Sequence, residues 1–297
     1  TQQSSLFLFE EWGLSETWTL QGSARVERQT IDSPSQPSYS DTAWGGSVGA
    51  IWGLSDTYTL SANLALTERH PNSTELFADG AHLAVGRVER GSVILGSGFL
   101  GNEFSTNIDV TLRGGGERVE FDVTGFINNV DDYILLSPTG AVEDELPVFN
   151  YGATDVEMYG IEAETRIELM ESAAGHLHAR VFGDFVHAEE KDSGAYLPRI
   201  PPLRYGIGLH YTILAFEAAI DATFHDDQLQ TAANELKTES YTLVNAELSY
   251  ALGEPSLFLF MRGSNLTDEE ARQHTSPLKD TFPMPARSLK LGIRYDF

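Results

Sequence analysis

The chain has 297 residues, no cysteine, and 44 acidic against 19 basic side chains, for a formal net charge of −25. A hydrophobic fraction of 41 % argues against global disorder and low-complexity architecture, and the missing thiols exclude disulfides, all-thiolate metal sites and iron–sulfur clusters. The acidic excess disfavours nucleic acid, whose binding runs on cation contacts to phosphate, and attracts cations instead. No run of about 18 apolar residues marks a helical span. The sequence opens at Thr1 without a methionine or a basic-then-apolar leader, and reads as mature, processed or truncated.

In chain order, the pattern has period two almost throughout. About thirteen segments of roughly ten residues alternate in this way, a length that suits tilted membrane-crossing strands. They lie near 5–12, 17–29, 42–52, 57–69, 102–113, 118–130, 155–169, 175–188, 203–213, 215–226, 240–251, 256–265 and 287–297. In 103–113, Phe104, Thr106, Ile108, Val110 and Leu112 oppose Glu103, Ser105, Asn107, Asp109, Thr111 and Arg113. In the last segment Leu289, Leu291, Ile293, Tyr295 and Phe297 share one face.

Short turns at Gly13–Glu16, Gly53–Asp56, Gly114–Glu117, Glu171–Gly175, near Leu214 and at Leu252–Pro255 alternate with long polar loops. The loops fall at about 30–41, 70–101, 131–154, 189–202, 227–239 and 266–286. That rhythm predicts an all-β, antiparallel, up-and-down barrel with turns at one rim and loops at the other. Trp12-Gly-Leu-Ser-Glu-Thr-Trp18 and Trp52-Gly-Leu-Ser-Asp-Thr-Tyr58 repeat one turn flanked by aromatics, as an interfacial girdle would be. The apolar faces mix large residues with Gly and Ala, while the polar faces hold opposite charges and hydroxyls. Lipid outside and a wet lumen inside account for both. An odd strand count does not suit a complete bacterial barrel, so the whole of 1–297 reads as the C-terminal portion of a larger one.

Within the loops, Asn72-Ser-Thr-Glu75 predicts a short capped helix ended by Gly80. Gly96-Ser-Gly-Phe-Leu-Gly101 matches a dinucleotide fingerprint as a string, but a strand follows where the chemistry needs a helix. His70 and His82 bracket the loop helix together with Glu75 and Asp79, and His274 shares the last long loop with Asp280. Imidazole and carboxylate are what zinc accepts where thiolate is lacking, so His70, His82 and His274 are the candidate metal ligands. Asp131 and Asp132, beside the acidic run at 143–145, form a candidate cation-concentrating surface. With Glu75, Asp79 and Asp280 they complete the candidate ligand-binding set. His225-Asp226-Asp227 has no nucleophile beside it, so no catalytic residue is expected.

Four stretches carry a family likeness. They are His70-Pro-Asn-Ser-Thr-Glu75-Leu-Phe-Ala-Asp-Gly80-Ala-His82 with Val88-Glu-Arg-Gly91 and the strand opening at Glu103; Phe126-Ile-Asn-Asn-Val-Asp-Asp-Tyr133-Ile134; Asn150-Tyr151 leading into Tyr159-Gly160-Ile-Glu162-Ala-Glu164; and Asn265-Leu266-Thr-Asp-Glu-Glu-Ala-Arg272 through His274-Thr-Ser-Pro-Leu-Lys-Asp280 to Phe297. Across the whole chain these resemble the C-terminal part of the barrel of TonB-dependent outer-membrane receptors, most closely the zinc- and haem-uptake branch. Arg69-His70-Pro71 and Ala286 depart from the usual strings of that family.

The resemblance implies a 22-stranded barrel of which these would be strands 10 to 22, and a bacterial outer-membrane location. It also implies a lumen plug that engages the TonB complex, and Phe297 as the signal read by the barrel assembly machinery. Lipid bilayer and lipopolysaccharide would surround a protein that is monomeric when complete. The expected activity is uptake of a scarce metal or metal complex, zinc ahead of haem and ferric siderophore, with no resident cofactor and no bond chemistry. The rivals are a structural or adhesive outer-membrane barrel without transport and a soluble all-β carbohydrate binder.

Overall fold

A computed structural model describes residues 1–253 and 257–295. Thirteen strands follow one another as antiparallel neighbours in a single sheet: β1 (Gln2–Gly13), β2 (Trp18–Ser33), β3 (Gln36–Gly53), β4 (Tyr58–Arg69), β7 (Glu103–Gly115), β8 (Val119–Glu143), β9 (Leu146–Ser172), β10 (Gly175–Glu190), β11 (Arg204–Ile213), β12 (Phe216–His225), β13 (Tyr241–Leu252), β14 (Leu257–Ser264) and β15 (Ser288–Tyr295). Each expected strand is found. Two more, β5 (Asp79–His82) and β6 (Arg87–Arg90), lie with helix α1 (Ser73–Phe77) in the connection between β4 and β7. β6 pairs with β5 and runs parallel to β9 at Val148–Asn150. Among the described residues the sheet does not close on itself, because β1 pairs only with β2 and β15 only with β14.

Two expected loops prove to be strand. Residues 30–41 form the paired ends of β2 and β3, and 131–154 form the outer part of the β8–β9 hairpin. Polarity misled there because a hairpin standing clear of a membrane has water on both faces, and the apolar alternation that marks a crossing strand disappears. The dozen residues of β8 beyond Asp131 extend the chain by about 40 Å. Asp132 has φ of 56° at the register shift between Val130 and Tyr133, so the hairpin leaves the sheet through a bulge.

The repeated turns are alike in detail. Leu14 N donates to Trp18 O at 2.8 Å and Leu54 N to Tyr58 O at 2.9 Å, while Ser15 Oγ and Ser55 Oγ each accept the amide two residues on at 3.3 Å. Trp18 and Trp52, in register across β2 and β3, stack with centroids 5.2 Å apart. They stay partly exposed, as a girdle at a membrane boundary requires.

Register assigns the two faces. Leu64, Ile108 and Val110 point to one side and are 38 %, 51 % and 44 % exposed, far too open for a soluble core. The opposite side carries Asn63, Ser105, Asn107 and Thr111, joined by pairs such as Ser105–Asn128 at 2.6 Å and Thr111–Thr124 at 2.8 Å. A cavity of about 520 Å³, lined by Arg113, Glu120, Asp122, Glu164 and Arg166, opens on this polar side, which is therefore the concave one. Buried apolar side chains gather almost wholly at the loop end. One cluster joins Ile31, Tyr39 and Leu76; another joins Val130, Val156, Ala188 and Leu197. Packing holds the loops, whereas hydrogen-bonded ladders hold the strands.

Candidate functional site

The loop end is built by long-range ties that order the connections above the sheet. Arg69, at the tip of β4, stands in register with Glu103, at the start of β7. Its Nε and Nη2 donate to the two Glu103 oxygens, both at 2.6 Å. Its Nη1 and Nη2 also donate to the Glu75 carboxylate at 3.1 and 3.2 Å. Glu75 closes a capping box with Asn72, accepting the Asn72 amide at 2.7 Å, so a single guanidinium pins α1 to two strands. Glu103 further accepts the Ile134 amide at 2.8 Å, which draws in β8. The helix ends at Ala78; Gly80, expected as its terminator, lies in β5 instead. The carbonyls of Glu75, Leu76 and Ala78 are taken by the amides of Ser92, Val93 and Gly91, so a crossing segment stands in for the C-cap.

The expected metal ligands are not brought together. His70 is buried, with Nδ1 2.9 Å from Asn102 Oδ1 and its other nitrogen 3.4 Å from the Glu27 carbonyl. His82 is exposed and pairs with Glu89 at 3.2 Å. Burial pushes the Glu89 carboxyl up, but Arg87 and His82 outweigh it and hold it below the usual range. His274 is 2 % exposed and belongs to a clasp on the far side. There Thr238 Oγ1 lies 2.9 Å from its Nδ1, Glu235 Oε1 3.3 Å from its Nε2, and Lys279 Nζ donates to its carbonyl at 3.1 Å. Lys279 also forms an ion pair with Glu235. Among the described residues no group of three or more His, Asp or Glu stands at metal-holding spacing.

The candidate acidic residues are mostly engaged as well. Asp79 pairs with Arg90 at 2.7 Å, and the same guanidinium reaches Glu143 on β8. Asp131 pairs with Lys191 at 3.1 Å. Asp132 forms the bulge and donates its amide to Asp155 at 3.0 Å. Asp280 is exposed in a turn. Phe297 lies outside the described residues. Sequence reasoning missed Arg69, Asn102, Glu103, Glu235 and Lys279. For the first and third a signal existed, since they end and begin neighbouring strands and must meet if those strands pair antiparallel.

The concave face divides into two halves. From β8 to β14 it is laced by charge pairs, among them Arg180–Glu164 and Arg204–Asp184, both at 2.6 Å, and Arg262–Glu247 at 2.8 Å. On β3 and β4 it is floored by Ala43, Gly45, Ser47, Gly49, Asn63 and Ala65, beside a cavity of about 440 Å³.

An open antiparallel sheet with a lipid-type outer face, a charged concave face and loops tied down at one rim has counterparts among known proteins. The family described as TonB dependent receptor-like, beta-barrel matches residues 1–266. The chain belongs to the TonB-dependent receptor β-barrel family. That family is one of receptor barrels of the bacterial outer membrane, not of enzymes. The vitamin B12 transporter BtuB of Photobacterium profundum is 24 % identical over 195 residues, 66 % of this chain and 30 % of that protein. Among solved structures, the copper transporter OprC superposes with TM-score 0.83 at 21 % identity, over 99 % of this chain and 48 % of that one. The FrpB iron transporter from Neisseria meningitidis gives 0.72 at 12 % identity, over 99 % and 45 %. The siderophore receptor PirA from Acinetobacter baumannii gives 0.70 at 15 %, over 99 % and 46 %. The chain thus spans under half the length of these solved relatives.

Proposed function

We propose that the chain is the C-terminal barrel portion of a receptor that takes up a scarce metal as a complex or as an ion. The lumen side of the sheet supports this most: a polar, charge-paired concave face runs the full height of the strands beneath loops that are individually fastened. Further strands would pair with the open edges of β1 and β15 to complete a 22-stranded barrel, a size whose lumen holds a plug. TonB would act through that plug, and the barrel assembly machinery would read Phe297. Lipid and lipopolysaccharide would meet the outer face.

Zinc is the cargo expected from the sequence. The seating of His70 and His274 in hydrogen-bonded clasps favours a bulkier metal complex recognised by loop shape over a bare zinc ion held by those imidazoles. Relatives named for copper, iron, siderophore and vitamin B12 transport leave each of those chemistries within reach. The test is uptake of labelled zinc, copper, haem, ferric siderophore and cobalamin by cells with and without the full-length gene, each with and without TonB. Uptake of one cargo that needs both gene and TonB supports the reading. A barrel whose loss changes none of them is structural or adhesive.

A further inference from the structure

The loop histidines are tied off, but another imidazole pair faces the lumen. His178 on β10 and His210 on β11 are direct cross-strand partners, so both side chains leave the same face of the sheet. That face is the concave one, shared with Arg180 and Glu164. The pair lies toward the short-turn rim, only a few residues from the β9–β10 turn. We propose that His178 and His210 form a binding site for a transition-metal dication, Cu²⁺, Ni²⁺ or Zn²⁺, on the lumen wall, with Glu168 as the third ligand.

Ring geometry comes first. The two centroids are 4.8 Å apart and the planes meet at 49°. An imidazole nitrogen sits about 2.0–2.1 Å from bound zinc, which puts each ring centre roughly 3.2 Å from the ion. At a tetrahedral angle two such rings lie about 5 Å apart. The observed centroid separation matches that spacing. Flat stacking would bring the planes nearly parallel, as in His225–Tyr241 at 16°.

The protonation state is also right. Arg166 Nη2 lies 2.9 Å from His178 Nε2. A guanidinium can only donate, so that nitrogen is the acceptor and His178 is neutral, the form that binds metal. A dication would displace Arg166, which has Glu120 as its register partner on β8 to turn toward. Arg166 also lines the 520 Å³ cavity with Asp122 and Glu164, giving an ion an acidic approach.

The third observation is an orphan. Glu168 is in register with His178 across β9 and β10, and its Oε1 is buried without a hydrogen-bond partner among the described residues. An unmatched carboxylate oxygen on the strand next to His178 is costly unless something cationic completes it. Among the described residues no third ligand stands at bonding distance as the side chains lie, so binding draws Glu168 in by a rotamer change.

The inference rests on the receptor reading only in taking the polar face as a lumen. Its test is a Cu²⁺ titration of the purified full-length receptor in detergent, with electron paramagnetic resonance to count nitrogen ligands. Parallel samples carry His178→Gln, His210→Gln and, as a control away from the pair, His225→Gln. Folding is checked by heat-modifiable gel mobility. The expected result is a two-nitrogen copper signal whose dissociation constant rises roughly tenfold or more in either pair variant and holds in the control. An unchanged titration in both pair variants overturns the site, as does the absence of such a signal in the unsubstituted receptor. If either pair variant misfolds, Glu168→Gln replaces it, and unaltered copper affinity there removes Glu168 from the set. TonB-dependent uptake is read separately. Copper binding without uptake leaves the site standing and sinks transport, and uptake without copper binding does the reverse.

Discussion

At the scale of single residues, the loop end is governed by side chains whose partners lie far away in sequence. His70 reads as a free loop ligand because its neighbours are polar, yet its contacts are Glu27, Tyr39 and Asn102, more than thirty positions distant. No local pattern announces that. Glu235 is the sharper case. Burial pushes its carboxyl up, but hydrogen bonds from His274, Lys279 and the amides of Arg199 and Ala232 win and bring it to about 2 from an ordinary 4.5. A folded-state value below the unfolded one adds stability that is fully present above the ordinary value. It is lost as the pH falls through about 2. Protection factors for hydrogen exchange in 227–240 and 271–285 should therefore hold from pH 6 to 4 and fall between pH 4 and 2, and Glu235→Ala should lower them already at pH 6. Gly91 tests packing instead. A Cβ there would sit 2.4 Å from the backbone of Leu76, so Gly91→Ala should cost about 1–3 kcal/mol and raise exchange in α1 and β6 while sparing the thirteen strands of the main sheet.

At the scale of elements, strands were legible and their outer reaches were not. Alternation marks a strand only where one face meets lipid, so the sequence shows the crossing parts of β8 and β9 plainly and gives their water-exposed hairpin the polarity of a loop. The capping signal of Asn72 and Glu75 was local and complete, and α1 stands where it predicts. What fastens α1 to the sheet was hidden, because Arg69, Glu75 and Glu103 meet only once β4 and β7 are paired. Arg69→Ala leaves two carboxylates with 11 % and 9 % side-chain exposure near each other with backbone amides but no cation to balance them. The expected loss is about 1–3 kcal/mol of local stability, since Arg69 itself is half exposed, seen as faster protease cleavage within 70–102 of an otherwise intact barrel. Arg69→Lys, unable to fork onto both partners, should fall between.

At the scale of the whole molecule, the sheet has no core between two layers and depends on lipid for one face. That asymmetry gives a paired prediction. Leu64→Arg, on the apolar face midway along β4, should cost about 2–4 kcal/mol in folding titrations into lipid vesicles, and Asn63→Arg, one residue away on the lumen face, about 1 or less. The family was readable because its strings recur at the turns and loop starts. The cargo was not, since it depends on surfaces assembled from several loops.

The measurement that bears most directly on the central claim, a membrane-crossing barrel with loops outside and turns inside, uses the absence of cysteine from these 297 residues, with any cysteine elsewhere in the full-length protein first replaced by serine. Single cysteines at Gly140, on the outer β8 strand, and at Ser55, in a short turn, would be introduced into the full-length protein and exposed in intact cells to a membrane-impermeant maleimide. The account predicts labelling of Gly140→Cys at once and of Ser55→Cys only after the outer membrane is opened. Equal labelling of both in intact cells, or the reverse order, would contradict it.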